Sequence, residues 1–347
     1  NSPLLGLIQY TGGTTGIAKG AMLSHDNLIA NLMQFDHVIE GHNPEPGEVV
    51  AAPLPFYHIY AFTLNFLYSM YRGFHGILIP DPRNTDKLVR AISRHSLSGF
   101  VGVSILYQTL CKHPKFQQLN FSKLTICTSG GMALSVSTAR RWEKVTGCRI
   151  LEGYGLTETS PLVASSTMND YHEEKIGKAT LWTELKVLND EGQQVPAGEE
   201  GEVLIRGPQV MMGYWERPEA TNEAVDPEGF FKTGDVAVKL DDGFYKIVDR
   251  IKDMILVSGF NVYPNEIENV ITSHPDVLEC AVVGVKNDKT GEAVKAVVVR
   301  SNSDLTEAEL TAFCREGLTP YKVPKLIEFR EDLPKSTVGK ILRRELR

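Results

Sequence analysis

The chain has 347 residues, of which 42% are hydrophobic, so it is long enough to bury cores in at least two structural units. Its formal net charge is −7, and Arg343, Arg344 and Arg347 form its most basic stretch, so nucleic acid is not expected as a partner. The five cysteines are scattered without a CxxC pair, which argues against a disulfide framework or a zinc site and favours a reduced, cytoplasmic protein.

The most apolar stretch, residues 59–71, is interrupted by Asn65 and Ser69. It falls short of the roughly 20 residues that a membrane-spanning helix needs, so no such helix is predicted. The first residues lack the pattern of a signal peptide, and a strand-like run begins within a few residues of Asn1. This start favours the interpretation that the chain is a fragment of a longer protein.

Short apolar runs alternate with helical patterns from residue 4 to about residue 166. The strand-like runs are residues 4–10, 49–52, 76–79, 99–103 and 124–128, and the helical patterns are residues 24–39, 86–95 and 135–146. This alternation predicts an α/β unit in which a mostly parallel sheet is covered by helices.

After Lys175 the pattern changes to short strands separated by turn sequences at 189–192, 196–198 and 241–243, which predicts a small β-rich subdomain. A charged segment at 249–253 then precedes a new α+β pattern, with helices at 264–273 and 306–316 and strands at 279–285 and 293–300. We predict a large domain over residues 1–250, made of an α/β subdomain (1–170) and a β-rich subdomain (175–249), followed by a smaller α+β domain over residues 251–347. A surface loop at 249–253 is the alternative interpretation.

The first stretch with chemical information follows the strand at 4–10 and reads YTGGTTGIAKG, residues 10–20. Glycines let backbone N–H groups point into a cavity, threonine hydroxyls add donors and lysine adds positive charge, which together suit a polyphosphate. The residues concerned are Thr11, Gly12, Gly13, Thr14, Thr15, Gly16 and Lys19. The position of the lysine differs from that in a Walker A motif, so a P-loop nucleoside triphosphatase is disfavoured, while a flexible linker remains an alternative.

This loop resembles the signature of the adenylate-forming superfamily, which includes acyl-CoA ligases, luciferases and the adenylation domains of peptide synthetases. Seven further signatures follow in the order of that superfamily: PLPFYH at 53–58, SGG at 129–131, YGLTET at 154–159, TGD at 233–235, DRIK at 249–252, SGF at 258–260, and PKS at 334–336 with GK at 339–340. Each is weak alone, but eight in the right order leave chance resemblance negligible. The phosphate loop and residues 255–266 are most similar to bacterial long-chain fatty-acid CoA ligases.

The resemblance implies a nucleotide site. Its expected members are Ser129, Gly130, Gly131 and Tyr154 around adenine, Thr157 at the α-phosphate, Glu158 at Mg²⁺, Asp235 at the ribose, and Arg250 at the ribose or a phosphate. Gly155 is a further expected nucleotide-binding residue. The chemistry agrees, because a hard divalent cation prefers carboxylate and phosphate oxygens and a short carboxylate can accept hydrogen bonds from a diol. The alternatives are a solvated carboxylate for Glu158, a core aromatic for Tyr154, a turn for Asp235 and a surface salt bridge for Arg250.

Four further roles are implied by the resemblance. His58 would flank the substrate carboxylate, and Lys340 would catalyse adenylation by stabilising charge on the α-phosphate. Lys252 would be the hinge about which the C-terminal domain turns, and Gly259 would then leave room for the pantetheine arm of CoA. A structural histidine, a solvated lysine and a turn glycine are the respective alternatives for His58, Lys340 and Gly259.

The implied reaction is ATP-dependent activation of a fatty acid to acyl-AMP with release of pyrophosphate, followed by transfer to CoA. Phe62 stands where fatty-acid ligases have a tryptophan that gates the acyl tunnel. A ligase for short-chain, medium-chain or aryl acids, or a peptide-synthetase adenylation domain, is an alternative. So is a nucleotide-binding module without catalysis, because full-length members have a large additional N-terminal region. Peripheral association with the inner membrane, the oligomeric state, the acyl chain length and the observed domain orientation are left open.

Overall fold

The protein is described from a computed structural model that covers residues 4–11, 18–42, 44–173, 175–336 and 340–347. The largest sheet within these residues has seven strands, in the order β4 (His75–Leu78), β3 (Val49–Ala52), β5 (Gly99–Gly102), β6 (Ile126–Ser129), β7 (Ile150–Gly155), β8 (Leu162–Ser165) and β9 (Lys178–Ala179). The first five of these are parallel, whereas β8 and β9 are antiparallel additions at one edge. The predicted mostly parallel sheet is therefore confirmed.

Helices cover this sheet, as the alternating pattern predicts. They are α1 (His25–Val38), α2 (Ile59–Ala61), a π-helical segment (Phe62–Leu67), α3 (Tyr68–Arg72), α4 (Thr85–Ile92), α5 (Ser104–Lys112) and α6 (Val136–Thr146). Tyr107 of α5 and Trp142 of α6 meet edge to face at 4.6 Å, and Phe100 of β5 packs against both rings. These buried aromatic side chains bind two helices to the sheet and form the centre of its core.

The strand at the start of the chain lies outside the parallel sheet, which differs from the predicted arrangement. β1 (Leu5–Tyr10) pairs antiparallel with β2 (Gly20–Ser24), and β12 (Gly213–Tyr214) pairs with the other edge of β2. Only the short predicted phosphate loop joins β1 to β2. A parallel pairing needs a crossover of a dozen or more residues, so this short connection produces a hairpin instead.

The β-rich pattern after Lys175 forms a separate antiparallel sheet. Its strands lie in the order β10 (Glu184–Leu188), β11 (Glu200–Arg206), β13 (Phe231–Lys239) and β14 (Tyr245–Arg250), with α7 (Pro218–Ala224) between β12 and β13 in the chain. Gly192 and Gly243 occupy turns in this sheet at φ angles of +76° and +82°, which residues with a Cβ rarely adopt. The predicted turn sequences therefore lie where the sheet reverses direction.

The remaining residues build an α+β unit with its own core. Its strands are β15 (Ile255–Val257), β16 (Phe260–Val262), β17 (Val277–Asn287), β18 (Gly291–Arg300) and β19 (Leu326–Phe329), and its helices are α8 (Pro264–Thr272) and α9 (Glu307–Gly317). Ile267, Ile271, Leu310 and Cys314 of the two helices are fully buried in that core. A 3₁₀ turn, Ile251–Asp253, connects β14 to this unit. The domain boundary at residue 250 stays a prediction.

No helix in the part of the chain that the structure describes has both the length and the apolar character required to cross a bilayer.

Candidate active site

A cavity of about 1320 Å³ lies where the carboxyl ends of the parallel strands, the β-rich sheet and the C-terminal segment meet. Open α/β sheets commonly bind ligands at the carboxyl ends of their strands. The predicted site residues that line it are Thr11, Lys19, His58, Ser129, Gly130, Gly131, Tyr154, Gly155, Thr157, Glu158, Asp235, Arg250, Lys252 and Lys340. The structure thus brings residues from seven of the eight signatures to one cavity, whereas their individual roles stay predictions.

Two parts of the predicted site are not placed in this cavity. Gly12, Gly13, Thr14, Thr15 and Gly16 of the phosphate loop lie outside the described residues. Gly259 is described, but it occupies the turn between β15 and β16, away from the described cavity wall. Ser258 and Gly259 have φ angles of +52° and +86°, as a tight hairpin turn requires, so the turn interpretation explains this glycine.

Lys340 lines the cavity, and its backbone makes two hydrogen bonds with Ser336. Its carbonyl oxygen accepts from Ser336 N at 2.8 Å, and its N–H donates to Ser336 Oγ at 3.1 Å. Burial, together with the nearby cations of Arg250 and Lys252, lowers the pKa of Lys340 to about 8. The side chain is therefore mainly an ammonium at neutral pH, in a site where charge is poorly solvated.

His58 lines the same cavity, and its ring also caps a helix. Its Nδ1 atom accepts a hydrogen bond from Tyr60 N at 3.3 Å, at the start of α2. Burial and the positive charge of Lys340 lower the pKa of His58, which favours the neutral imidazole at neutral pH. His58 therefore has a structural role as a helix cap and also lines the cavity.

Asp235 is 3% exposed, and both of its carboxylate oxygens have partners in the protein. Oδ1 lies 3.1 Å from Arg250 Nε, and Oδ2 accepts from the Tyr154 hydroxyl at 2.7 Å. Asp235 and Arg250 face each other on β13 and β14, so the sheet register fixes this pair. Burial and the carboxylate of Asp235 raise the pKa of Tyr154, so its hydroxyl keeps its proton and remains a donor. Asp235, Arg250 and Tyr154 thus form one hydrogen-bonded cluster on the cavity wall.

Glu158 has a partner that the sequence did not reveal. The hydroxyl of Tyr214 donates to Glu158 Oε1 at 2.7 Å, while Lys19 Nζ lies 4.9 Å from the centre of the Tyr214 ring. Tyr214 belongs to the two-residue strand β12, which has no periodic pattern of its own. It thereby connects the predicted phosphate-loop lysine to the predicted metal ligand.

The residues fit a magnesium ion that is bound mainly through phosphate. Among the described residues no cluster of three or more His, Cys, Asp or Glu side chains could hold a metal ion alone. Glu158 supplies one carboxylate to the cavity. Mg²⁺ commonly uses one or two carboxylates together with water and substrate phosphates, so this donor set agrees with the predicted ion.

One residue of the cavity wall has a buried hydroxyl. Ser129 is 1% exposed, and its Oγ has no hydrogen-bond partner within the described part of the chain. Buried hydroxyls are nearly always hydrogen-bonded, so an ordered water is the expected partner of this one.

One wall of the cavity is apolar. Its side chains include Phe35, Leu54, Leu64, Val103, Met132, Leu151 and Leu162. Phe62 is absent from the described cavity wall and packs on Phe66 in the π-helical segment, with 5.5 Å between ring centres. The structure therefore gives no support to Phe62 as a gate, because its ring is engaged beside the cavity rather than in it.

The site belongs to a known class. Residues 5–215 match the family model of AMP-binding enzymes, and residues 266–340 match the C-terminal domain of AMP-binding enzymes. The first match covers more than half of the chain, so the chain belongs to the AMP-binding enzyme family. The resemblance inferred from the motifs is confirmed.

Individual relatives narrow the comparison. The chain is 51% identical over 345 residues to the long-chain-fatty-acid–CoA ligase of Escherichia coli O6:H1, a match that covers 99% of the chain and 61% of that relative. It therefore spans about three fifths of the length of that curated relative. The solved structure of ATP-bound MatB from Rhodopseudomonas palustris is 34% identical, with a TM-score of 0.90 over 99% of this chain and 67% of that one. Apo MatB has the same identity and coverage but a TM-score of 0.76, so the arrangement seen here is closer to the ATP-bound structure.

Proposed function

We propose that the full-length protein activates a long-chain fatty acid with ATP to an acyl adenylate and then transfers the acyl group to CoA. The similarity to a long-chain-fatty-acid–CoA ligase over 99% of the chain carries this proposal. The cavity is compatible with it, because a polar end with Lys340, Arg250 and Asp235 adjoins an apolar wall. A cytoplasmic location with peripheral contact to the inner membrane remains a prediction.

In the first half-reaction an oxygen of the fatty-acid carboxylate attacks the α-phosphorus of ATP. The bond from that phosphorus to the oxygen bridging the β-phosphate breaks, and pyrophosphate leaves. A carboxylate is already an anion at neutral pH, so no protein base is needed. The ammonium of Lys340 would stabilise the charge that builds up on the phosphoryl oxygens, which is the largest contribution that a protein usually makes to such a step.

The other polar residues of the cavity would bind and orient the nucleotide. Ser129 would line the adenine, and the Asp235–Arg250 pair offers both an acceptor and fixed donors for ribose. Glu158 would hold Mg²⁺, and that ion would neutralise phosphate charge when bound. Tyr214 would keep the Glu158 carboxylate in place through its hydroxyl.

In the second half-reaction the CoA thiolate attacks the carbonyl carbon of the acyl adenylate, and AMP leaves. In the observed structure Lys340 lines the cavity and Gly259 lies outside it. We propose that residues 251–347 rotate about Lys252 to exchange these two segments between half-reactions. The greater similarity to ATP-bound than to apo MatB supports an assignment of the present arrangement to the first half-reaction.

The decisive experiment measures ATP–pyrophosphate exchange by the purified full-length protein with saturated fatty acids of short, medium and long chain. Aryl and amino acids are included, and thioester formation with free CoA is measured in parallel. Exchange that is strongest with long-chain acids, followed by acyl-CoA, is expected. Exchange with aryl or amino acids alone would show that one of these, rather than a fatty acid, is the substrate. ATP binding without any exchange would favour a non-catalytic nucleotide-binding module.

A further inference from the structure

The C-terminal unit contacts the β-rich sheet through the first turn of α8. Asn265 N donates to Asp249 Oδ2 at 2.8 Å, and Asn265 Nδ2 donates to the carbonyl oxygen of Val248 at 3.1 Å. Val248 and Asp249 belong to β14, whereas Asn265 follows the 3₁₀ turn at Ile251–Asp253. The two hydrogen bonds therefore join residues on opposite sides of the proposed hinge. Asp249 is 1% exposed, and its carboxylate accepts from Asn265 N and from Arg250 N, so it depends on these two partners.

The same amide group is held from a second direction by Arg343. Arg343 Nη2 donates to Asn265 Oδ1 at 3.0 Å and to both carboxylate oxygens of Glu268 at 2.8 Å, and Nη1 lies 3.5 Å from Asp253 Oδ2. Burial alone would lower the pKa of Arg343, but the carboxylates of Glu268, Asp249 and Asp253 raise it above its ordinary value. The guanidinium is thus permanently charged, bonded to Glu268 and close to Asp253.

Arg343 is also close in sequence to Lys340, and the segment between them is fixed. Leu342 N donates to the carbonyl oxygen of Pro334 at 2.8 Å, and Leu346 is 1% exposed in the core beneath β17 and β18. A short rigid segment therefore connects the Asn265–Arg343 contact to the lysine in the cavity.

We infer that Asn265 is a positioning residue that holds Lys340 in the cavity by locking α8 onto β14. The inference rests on the proposed function, because it assigns the lock to the adenylate-forming arrangement. If the chain turns at Lys252, Asn265 moves away from Val248 and Asp249. Both hydrogen bonds across the hinge are then lost, while the Arg343–Glu268 pair travels with the C-terminal unit. Asn265 therefore contributes to the balance between the two arrangements rather than to the fold of either unit.

The test is Asn265→Ala in the full-length protein, with the two half-reactions measured separately. The balance between the arrangements should shift about tenfold, or about 1.4 kcal/mol, against the adenylate-forming one. A dominant population of about 90% would then fall to about half, so acyl-adenylate formation should fall about twofold. Thioester formation from supplied acyl adenylate should be unchanged or faster. Arg344→Ala is the matched control, since Arg344 lies in the same turn but is exposed and approaches only Glu345, at 3.9 Å, among the described carboxylates. It should leave both half-reactions at the wild-type rate.

A second variant and a direct probe of orientation accompany this test. Arg343→Lys keeps a positive charge beside Glu268 but removes the forked donors. It should therefore slow acyl-adenylate formation and spare thioester formation, as Asn265→Ala does, while a long side chain still fills the position. Spin labels on cysteines introduced at the exposed positions Glu191 and Lys289 report the distance between the two sheets in the presence of ATP. One dominant distance is expected for the wild type and a second population for Asn265→Ala.

Equal losses in both half-reactions at an unchanged melting temperature, or an unaltered distance distribution in both variants, would refute the proposal that Asn265 holds α8 on β14. Failure of the proposed function is a different result, because the wild type itself would then form no acyl adenylate. The distance measurement would still report whether Asn265 holds α8 on β14.

Discussion

Acyl-adenylate formation should fall at alkaline pH because Lys340 loses its proton. Burial and the charges of Arg250 and Lys252 lower the pKa of Lys340 to about 8. The catalytic form is the ammonium, which is present below that pKa and lost as the pH rises through it. For one proton, the ammonium fraction falls from about 91% at pH 7 to about 9% at pH 9, so the rate should fall about tenfold over that range.

The assay is ATP–pyrophosphate exchange measured from about pH 6 to about pH 10, analysed as kcat/KM for ATP, because that parameter reports the free enzyme. Bound phosphates favour the ammonium, so the alkaline limb of kcat should lie at higher pH than that of kcat/KM. Thioester formation is measured separately, because the CoA thiol also titrates in this range.

Lys340→Arg is the matched variant for this prediction. Guanidinium remains charged throughout the range, so the alkaline limb should disappear whatever the absolute loss of rate. A limb that persists in Lys340→Arg, or a wild-type profile that stays flat to about pH 10, would refute the assignment of this titration to Lys340.

Three further substitutions test other parts of the site. Tyr214→Phe removes the hydroxyl that donates to Glu158, and a charge-assisted hydrogen bond of this kind is worth roughly 1.5–3 kcal/mol. Adenylation should therefore need a higher Mg²⁺ concentration. An unchanged Mg²⁺ titration would contradict this. Asp235→Ala should weaken ATP binding, measured by calorimetry, more than fatty-acid binding. It should also lower the melting temperature, because Arg250 loses its acceptor. An unchanged ATP affinity would favour a purely structural role for Asp235. Lys252→Pro should preserve adenylation and abolish thioester formation, because the fixed φ of proline is typical of the 3₁₀ turn that contains Lys252 here. Equal losses of both half-reactions at an unchanged melting temperature would place the pivot elsewhere.

Local patterns predicted the elements that have strong periodicity or a clear boundary. The helix predicted at 24–39 is α1, His25–Val38, and it begins where expected because Ser24 Oγ accepts from Asn27 N at 3.0 Å while the Asn27 side chain accepts from Ser24 N. The pairing of β1 with β2 was not predicted, because β2 directly follows the phosphate loop and has no alternation of its own. Which strands become neighbours depends on loop length and on contacts that are remote in sequence.

The candidate site was found through motifs rather than through pattern. Asp235 and Lys340 lie in sequences that would otherwise be interpreted as a turn and a solvated loop, and only the ordered set of motifs singled them out. Tyr214 and Asn265 were missed, because each acts through a partner more than ten residues away in sequence. Tyr214 meets Glu158 across the fold, and Asn265 meets both Asp249 and Arg343.

The central claim is that the cavity holding Lys340 forms the acyl adenylate. The most direct measurement compares wild-type and Lys340→Ala full-length protein in single turnovers of each half-reaction with a long-chain fatty acid. We expect acyl-adenylate formation to be nearly abolished in the variant, while thioester formation from supplied acyl adenylate and CoA continues close to the wild-type rate. An equal fall in both half-reactions at an unchanged melting temperature, or no fall in adenylate formation, would contradict the account.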